Sequence, residues 1–253
     1  MKRHLVFLMI SSSLFLTSCF KENMGAAGAT GPAGPAYTGV INGHVFLYDE
    51  YGTRIDTGLS GIQVTINNSS KDTMVMTDAN GAYAFSNIVT GNYSITAHVP
   101  NNQYGDVKVP NFQYINDTLN RDVKMSVIAA FSPLSLTAML AASGNDSVTL
   151  TFASDSKQRS YIVFVNSSSS VNGTPANYLS YYVKNIPANQ TKATLLVPAS
   201  DLRDIGINSG AIVYFAAYGY PVSDYSAYED ITTSKMIFNA LSTAPLYANA
   251  VAP

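Results

Sequence analysis

Downstream of the first twenty residues only two histidines occur, His44 and His98, and neither stands in an H-x-x-E or H-E-x-x-H spacing. Zinc requires three or four nitrogen, sulfur or carboxylate ligands brought together, so zinc hydrolysis has no ligand set to start from. His44 falls in an alternating stretch and His98 ends another just ahead of Pro100, which makes both sheet residues. No Gly-x-Ser-x-Gly elbow and no phosphate loop is present, and acid, base and nucleophile do not converge in a usable pattern. Carboxylates cluster twice, as Asp49, Glu50 and Asp56 and as Asp78 with Asn80. Loop oxygens suit calcium, but turns select the same residues because Asp and Asn side chains bond their own backbone. The spacing follows no calcium loop, so turns are expected and no metal or cofactor is assigned.

Tyrosines are the remaining resource. Tyr178, Tyr181 and Tyr182 form one group; Tyr214, Tyr218, Tyr220, Tyr225 and Tyr228 form another, in a chain without tryptophan. Rings outside a core can stack on sugars or anchor a protein partner. Tyr214 and Tyr218 share a strand face, where packing is expected. Tyr220, Tyr225 and Tyr228, around Pro221, are therefore the candidate ligand-binding residues.

The one cysteine, Cys19, has a different context. Lys2, Arg3 and His4 precede a short apolar run from Leu5 to Leu16, too short for the roughly 20 residues of a spanning helix and suited to a cleaved signal. Leu16-Thr17-Ser18-Cys19 resembles the bacterial lipobox, which implies cleavage before Cys19 and fatty acylation (palmitate-type chains) on its sulfur. Acyl chains contribute about 0.8 kcal/mol per buried methylene, so more than one gives stable attachment. Phe20, where an aspartate would imply inner-membrane retention, favours the outer membrane by the same resemblance; which side is left open. With one cysteine in the chain, no intrachain disulfide can form.

Without Lys2 and Arg3 the chain carries 12 basic against 16 acidic residues. There is no basic stripe, which excludes an electrostatic footprint for nucleic acid. Only 12% of residues are charged, and the abundance of Tyr, Thr, Ser, Asn and Val suits β-sheet surfaces. No second apolar run reaches 18 residues, so nothing downstream reads as a spanning helix.

The chain divides as 1–18, signal; 19–37, lipidated cysteine and tether; 38–127 and 128–245, two domains; 246–253, a C-terminal tail. In the tether Gly25, Gly28, Gly31 and Gly34 recur every third residue, the collagen period, though four triplets favour a semi-rigid spacer over a trimer. From Gly39 the pattern alternates: Ile41, Val45 and Leu47, then Ile62, Val64 and Ile66, then strand–turn–strand over Thr77–Phe85, then Tyr93, Ile95 and Ala97. Ile41-x-Gly43-x-Val45, Leu59-Ser60-Gly61-Ile62-x-Val64, Thr77-Asp78-x-x-Gly81-x-Tyr83-x-Phe85 and Gly91-x-Tyr93-x-Ile95 resemble the carboxypeptidase regulatory-like domain over about 38–126. That resemblance implies a seven-stranded transthyretin-like (prealbumin-like) β-sandwich, an accessory module rather than a peptidase. Asp56-Thr57-Gly58-Leu59 departs from the usual Gly-x-Pro-Leu.

After a junction at 127–132, strands are expected at Ser147–Phe152, Tyr161–Val165, Ala193–Val197 and Ala211–Tyr218, with a last one in Thr232–Leu241. Over 131–243 the chain is similar to a divergent fibronectin type III domain, with Phe152 in the place of the core tryptophan and Tyr214 as the tyrosine of the sixth strand. The expectation is an all-β chain of two sandwiches, transthyretin-like then immunoglobulin or fibronectin III-like, after a signal peptide and a Gly/Pro tether. Function is expected to be non-catalytic: adhesion, scaffolding or partner binding at the envelope, with glycan binding in polysaccharide uptake as the alternative.

Overall fold

The computed structural model describes residues 38–68, 72–115, 117–140 and 146–253. The signal, Cys19 and the tether fall outside them. The chain is all-β, built as two sandwiches.

The first sandwich is organised around β1 (Thr38–Tyr48). Its period of two turns Ile41, Val45 and Leu47 into the core, each no more than 1% exposed. Next come β2 (Arg54–Ile55), β3 (Gln63–Asn67), β4 (Asp72–Met76), β5 (Ala82–Val89), β6 (Gly91–His98), β7 (Val107–Tyr114), β8 (Thr118–Asn120) and β9 (Val123–Ser126). β1 pairs antiparallel with β2 and β5 and parallel with β8 and β9, while the facing sheet runs β4-β3-β6-β7. Ile62, Val64, Ile66, Tyr93, Ile95 and Ala97 close on β1 from that facing sheet. Pro110 sits in β7, which as an edge strand tolerates a missing donor.

The Thr77–Phe85 segment is a corner between sheets: β4 lies in one and β5 in the other. Asp78 Oδ1 accepts hydrogen bonds from the Asn80 and Ala82 backbone N–H at 2.8 and 2.9 Å. Gly81 takes φ 79°, and a Cβ there would lie 2.6 Å from the Val45 carbonyl oxygen, so conformation and space both demand glycine.

The second sandwich comprises β10 (Ser135–Leu140), β11 (Asp146–Thr151), β12 (Arg159–Asn166), β13 (Ser180–Ile186), β14 (Lys192–Val197), β15 (Ile212–Tyr220), the hairpin β16 (Tyr228–Asp230) and β17 (Lys235–Ile237), and β18 (Leu246–Val251). Sheets β10-β11-β14 and β13-β12-β15-β18 face each other, an immunoglobulin-like three-plus-four arrangement. Phe152 lies in this core, stacked on Tyr161 at 5.0 Å. Helix α1 (Ala199–Asp204) plugs one end with buried Leu202.

Two expectations change here. Residues 246–251 are a core strand, β18, paired with β15 from Ile212↔Val251 to Ala217↔Leu246, and do not belong to a tail. Thr232–Leu241 supplies β17 and a loop outside the sandwich, within an insertion (221–245) between β15 and β18. That insertion covers the outer face of the four-stranded sheet. Phe238, Met236 and Leu241 pack on Ile162, Phe164, Ala216, Tyr218 and Tyr220, while Tyr161, Val163, Val165, Val213, Phe215 and Ala217 face the inner core. Burial on both faces explains why Ser160–Asn166 is buried without alternation. Tyr214 and Tyr218 do share a face, and it is this outer one.

Candidate functional site

The three candidate tyrosines are not gathered on one exposed platform. Tyr220 is 9% exposed and packs edge-on to Phe238 at 5.9 Å between centroids. Tyr228 lies in β16 opposite Ile237. Tyr225 remains 36% exposed, but its ring lies 4.2 Å from that of Tyr48, with Lys124 Nζ at 5.2 Å. It thus bridges the two sandwiches.

The junction is dense with fixed bonds. Glu50 Oε2 accepts from the Ala130 N–H at 3.0 Å and the Glu50 carbonyl from Val222 N–H at 2.9 Å. Asn239 Nδ2 donates to the Asp106 carbonyl at 2.6 Å. Tyr51 donates its hydroxyl to Asp155 at 3.0 Å, and Asp155 also takes Arg159. The Lys157 backbone N–H first, then Arg159 and Tyr51, hold the Asp155 carboxyl below the usual range, while burial and the Asp155 bond push the Tyr51 phenol up to about 12.

The groups singled out for chemistry have structural partners. Asp49 Oδ1 caps Tyr51 and Thr53 N–H at 2.9 and 2.7 Å, Asp56 pairs with Arg54 at 2.8 Å, and Asp78 caps its corner. His98 Nδ1 meets Asp106 at 2.8 Å; His44 is exposed, its backbone N–H bonded to Asp122. Among the described residues no three His, Cys, Asp or Glu are grouped as metal ligands, and no helix is long and apolar enough to cross a membrane.

A cleft of about 650 Å³ opens beside β1, β4 and β5 of the first sandwich, with His44 and Asp78 in its wall. A second, of about 560 Å³, opens on the outer face of the second sandwich and differs in chemistry. Asn172, Gly173, Thr174 and Pro175 form one lip, Ile237 to Leu241 the other, and Tyr218 with Tyr247 the floor; no charged residue lines it. Tyr247 stands on β18 opposite Ala216, and Asn249 opposite Tyr214. Tyr247 is 57% exposed. Burial first, then the neighbouring Tyr247 phenol, raises the Tyr218 hydroxyl to about 12.

Residues 49–138 match the model of the SdrD B-like domain. The match begins just after β1, omitting that strand entirely, and crosses into β10, and the carboxypeptidase regulatory-like resemblance stays one of motifs. No curated protein sequence matches. Among solved structures, a candidate carbohydrate binding protein from Bacteroides uniformis superposes with TM-score 0.30 at 12% identity, covering 83% of this chain and 98% of that one. A DUF3823 family protein from Parabacteroides merdae gives 0.29 at 12%, over 82% and 98%. The major pilin SpaD from Corynebacterium diphtheriae gives 0.30 at 12%, over 84% and 64%. At such scores the likenesses assign no activity to this chain.

Tyr247 escapes a reading that takes the stretch around it for a tail. Its signal is present in Leu246-Tyr247-Ala248-Asn249-Ala250-Val251, where period-two alternation is muted by alanines that carry little hydrophobic contrast. Chemically, rings, amides and hydroxyls without a charge can hold a neutral ligand; they offer no proton donor or acceptor tuned for catalysis.

Proposed function

We propose that this chain is a non-catalytic binding module of the cell envelope, tethered to the outer membrane by lipid on Cys19 and presenting two sandwiches as one stiff unit for adhesion, scaffolding or partner binding. The observation that carries this reading is the junction. Its carboxylates, hydroxyls and tyrosines, the residue types that could do chemistry, are spent on bonds between the sandwiches, from Glu50–Ala130 to Asn239–Asp106. The anchor itself rests on the Leu16–Cys19 spacing after a short apolar run, and the first sandwich is read as carboxypeptidase regulatory-like on its motifs. The experiment is metabolic labelling with a palmitate analogue in the wild type and Cys19→Ala, followed by protease treatment of intact cells. Label on the wild type alone supports the anchor, and digestion from outside places the sandwiches on the surface. Equal labelling of both chains would sink the anchor.

A second reading, a glycan-binding accessory protein of polysaccharide uptake, is favoured by the uncharged aromatic cleft on the second sandwich.

A further inference from the structure

We infer that the outer-face cleft of the second sandwich is a glycan subsite that takes a neutral pyranose ring, with the Tyr247 side chain as its stacking surface. The inference rests on reading the chain as a non-catalytic binding module, and it names where and what that module binds.

The first argument is the ring itself. An exposed tyrosine at 57% on a paired strand leaves a large aromatic face in water next to an otherwise filled aromatic layer. Across the ladder Tyr247 is opposite Ala216, whose small side chain leaves a ledge; Tyr214 and Tyr218 lie two residues to either side of Ala216 on the same face. An exposed aromatic ring beside uncharged amides and hydroxyls suits a ligand ring that has C–H groups on its faces and hydroxyls around its edge.

The second argument is charge. The lining consists of Tyr, Phe, Leu, Ile, Pro, Gly, Asn and Thr. A charged ligand would lose hydration there with no counter-charge to offset it, whereas a neutral polyol exchanges water for hydroxyl and amide partners. The volume of about 560 Å³ lies within the roughly 300–1,000 Å³ of small-molecule sites.

The third argument is preorganisation. The two lips come from different stretches of the chain and are bolted together. Lys235 Nζ, from β17, donates to the Pro175 and Tyr178 carbonyls at 2.8 and 2.6 Å. The Tyr178 hydroxyl returns a bond to the Met236 carbonyl at 2.6 Å. Within the first lip Asn172 Oδ1 accepts from Thr174 N–H at 2.8 Å. Gly173 lies so close to Leu241 that a Cβ would come within 2.4 Å of its Cδ1. A cleft whose walls are already fixed spends little ordering entropy when it binds.

The test is affinity electrophoresis of the full chain in gels containing neutral polysaccharides (mannan, β-glucan, xylan) and, separately, the anionic polygalacturonate. Retardation is expected on at least one neutral polymer and not on polygalacturonate. Tyr247→Ala should weaken that retardation at least tenfold, Tyr247→Phe should retain most of it, and Met139→Ala, on an exposed site of β10, should leave it unchanged. Thermal melts of each variant establish that it is folded. Three results would overturn the subsite: no neutral polymer retards the chain, only polygalacturonate does, or Tyr247→Ala binds as well as the wild type. Release of reducing ends from a retarded polymer would instead overturn the non-catalytic reading on which the subsite stands.

Discussion

Ser126, the last residue of β9, and Ser226, in the insertion a hundred residues later, complete each other's hydrogen bonding across the junction. The Ser126 N–H donates to Ser226 Oγ at 2.8 Å, and that hydroxyl is directed back to the Ser126 carbonyl at 3.5 Å. Ser126 Oγ in turn donates to the Ser223 carbonyl at 3.0 Å and accepts from Tyr225 N–H at 2.8 Å. Both serines are fully buried. Each hydroxyl serves as donor and acceptor, a role that alanine or valine cannot fill.

Ser226→Ala removes the acceptor of the buried Ser126 N–H. An unsatisfied buried donor costs about 1–3 kcal/mol. Calorimetry should show a wild-type transition that is lowered by several degrees or resolved into two in the variant, one for each sandwich. An unchanged single transition would mean that the pair does not couple them.

Gly105→Ala acts at the same interface by volume. A Cβ there would lie 2.6 Å from the carbonyl carbon and oxygen of Asn239, backbone atoms that cannot swing aside as a flexible side-chain tip would. The expected outcome is partial separation of the sandwiches, seen as an increased radius of gyration in small-angle scattering. A scattering profile identical to the wild type would argue against this contact as a constraint.

Asp224 should make stability depend on pH. Burial raises its carboxyl from 3.8 to about 6, against bonds from Ser226 and Ala227 N–H that favour ionisation. The folded state therefore holds its proton more tightly than the unfolded chain, and stability from this group falls as pH rises between about 4 and 6. The shift corresponds to roughly 3 kcal/mol when complete. Asp224→Asn should be the more stable protein at pH 7.5, and the difference should vanish near pH 4. Parallel melting curves with a constant gap would refute the assignment.

Phe164→Ala should release the insertion. Phe164 is fully buried and meets Tyr178, Tyr218 and Phe238 at 5.2, 5.6 and 5.5 Å. Truncation of a ring so placed costs about 3–5 kcal/mol. Because its face is the outer one, much of that loss should appear as opening of residues 221–245, with faster tryptic cutting at Lys235 than in the wild type. A variant destabilised without faster cutting would mean that Phe164 supports the sandwich and not the insertion.

The first sandwich is legible in the sequence because one face of each strand is buried and the other wet: Ile41, Val45 and Leu47 alternate cleanly, and the Asp78–Gly81 corner carries its own turn chemistry. The second is harder for a physical reason. Tyr161–Val165 and Ala211–Tyr218 are nearly continuous apolar runs, the mark of strands covered on both sides, and that continuity already implies a second hydrophobic layer. Met236, Ile237, Phe238 and Leu241 within Thr232–Leu241 resemble a closing strand because they are apolar, whereas Met236, Phe238 and Leu241 in fact form that layer. The true closing strand is rich in alanine and gives little contrast. For the same reason Tyr220 belongs to the covered layer and Tyr228 to its hairpin, whereas Tyr225 and Tyr247 keep part of their rings exposed.

The parallel pairing of β1 with β8 and β9 has a mechanical consequence. The chain enters the first sandwich at Thr38, at one end of β1, and leaves it after Ser126, level with Tyr48 at the other. Tension between those points pulls the two strands lengthwise past each other, so the rungs from Val40–Thr118 to Tyr48–Ser126 share the load and must yield together. Antiparallel terminal neighbours would instead unzip in sequence, each rung bearing the whole force in its turn. A pull applied between its two ends would thus load the first sandwich in shear and not by unzipping.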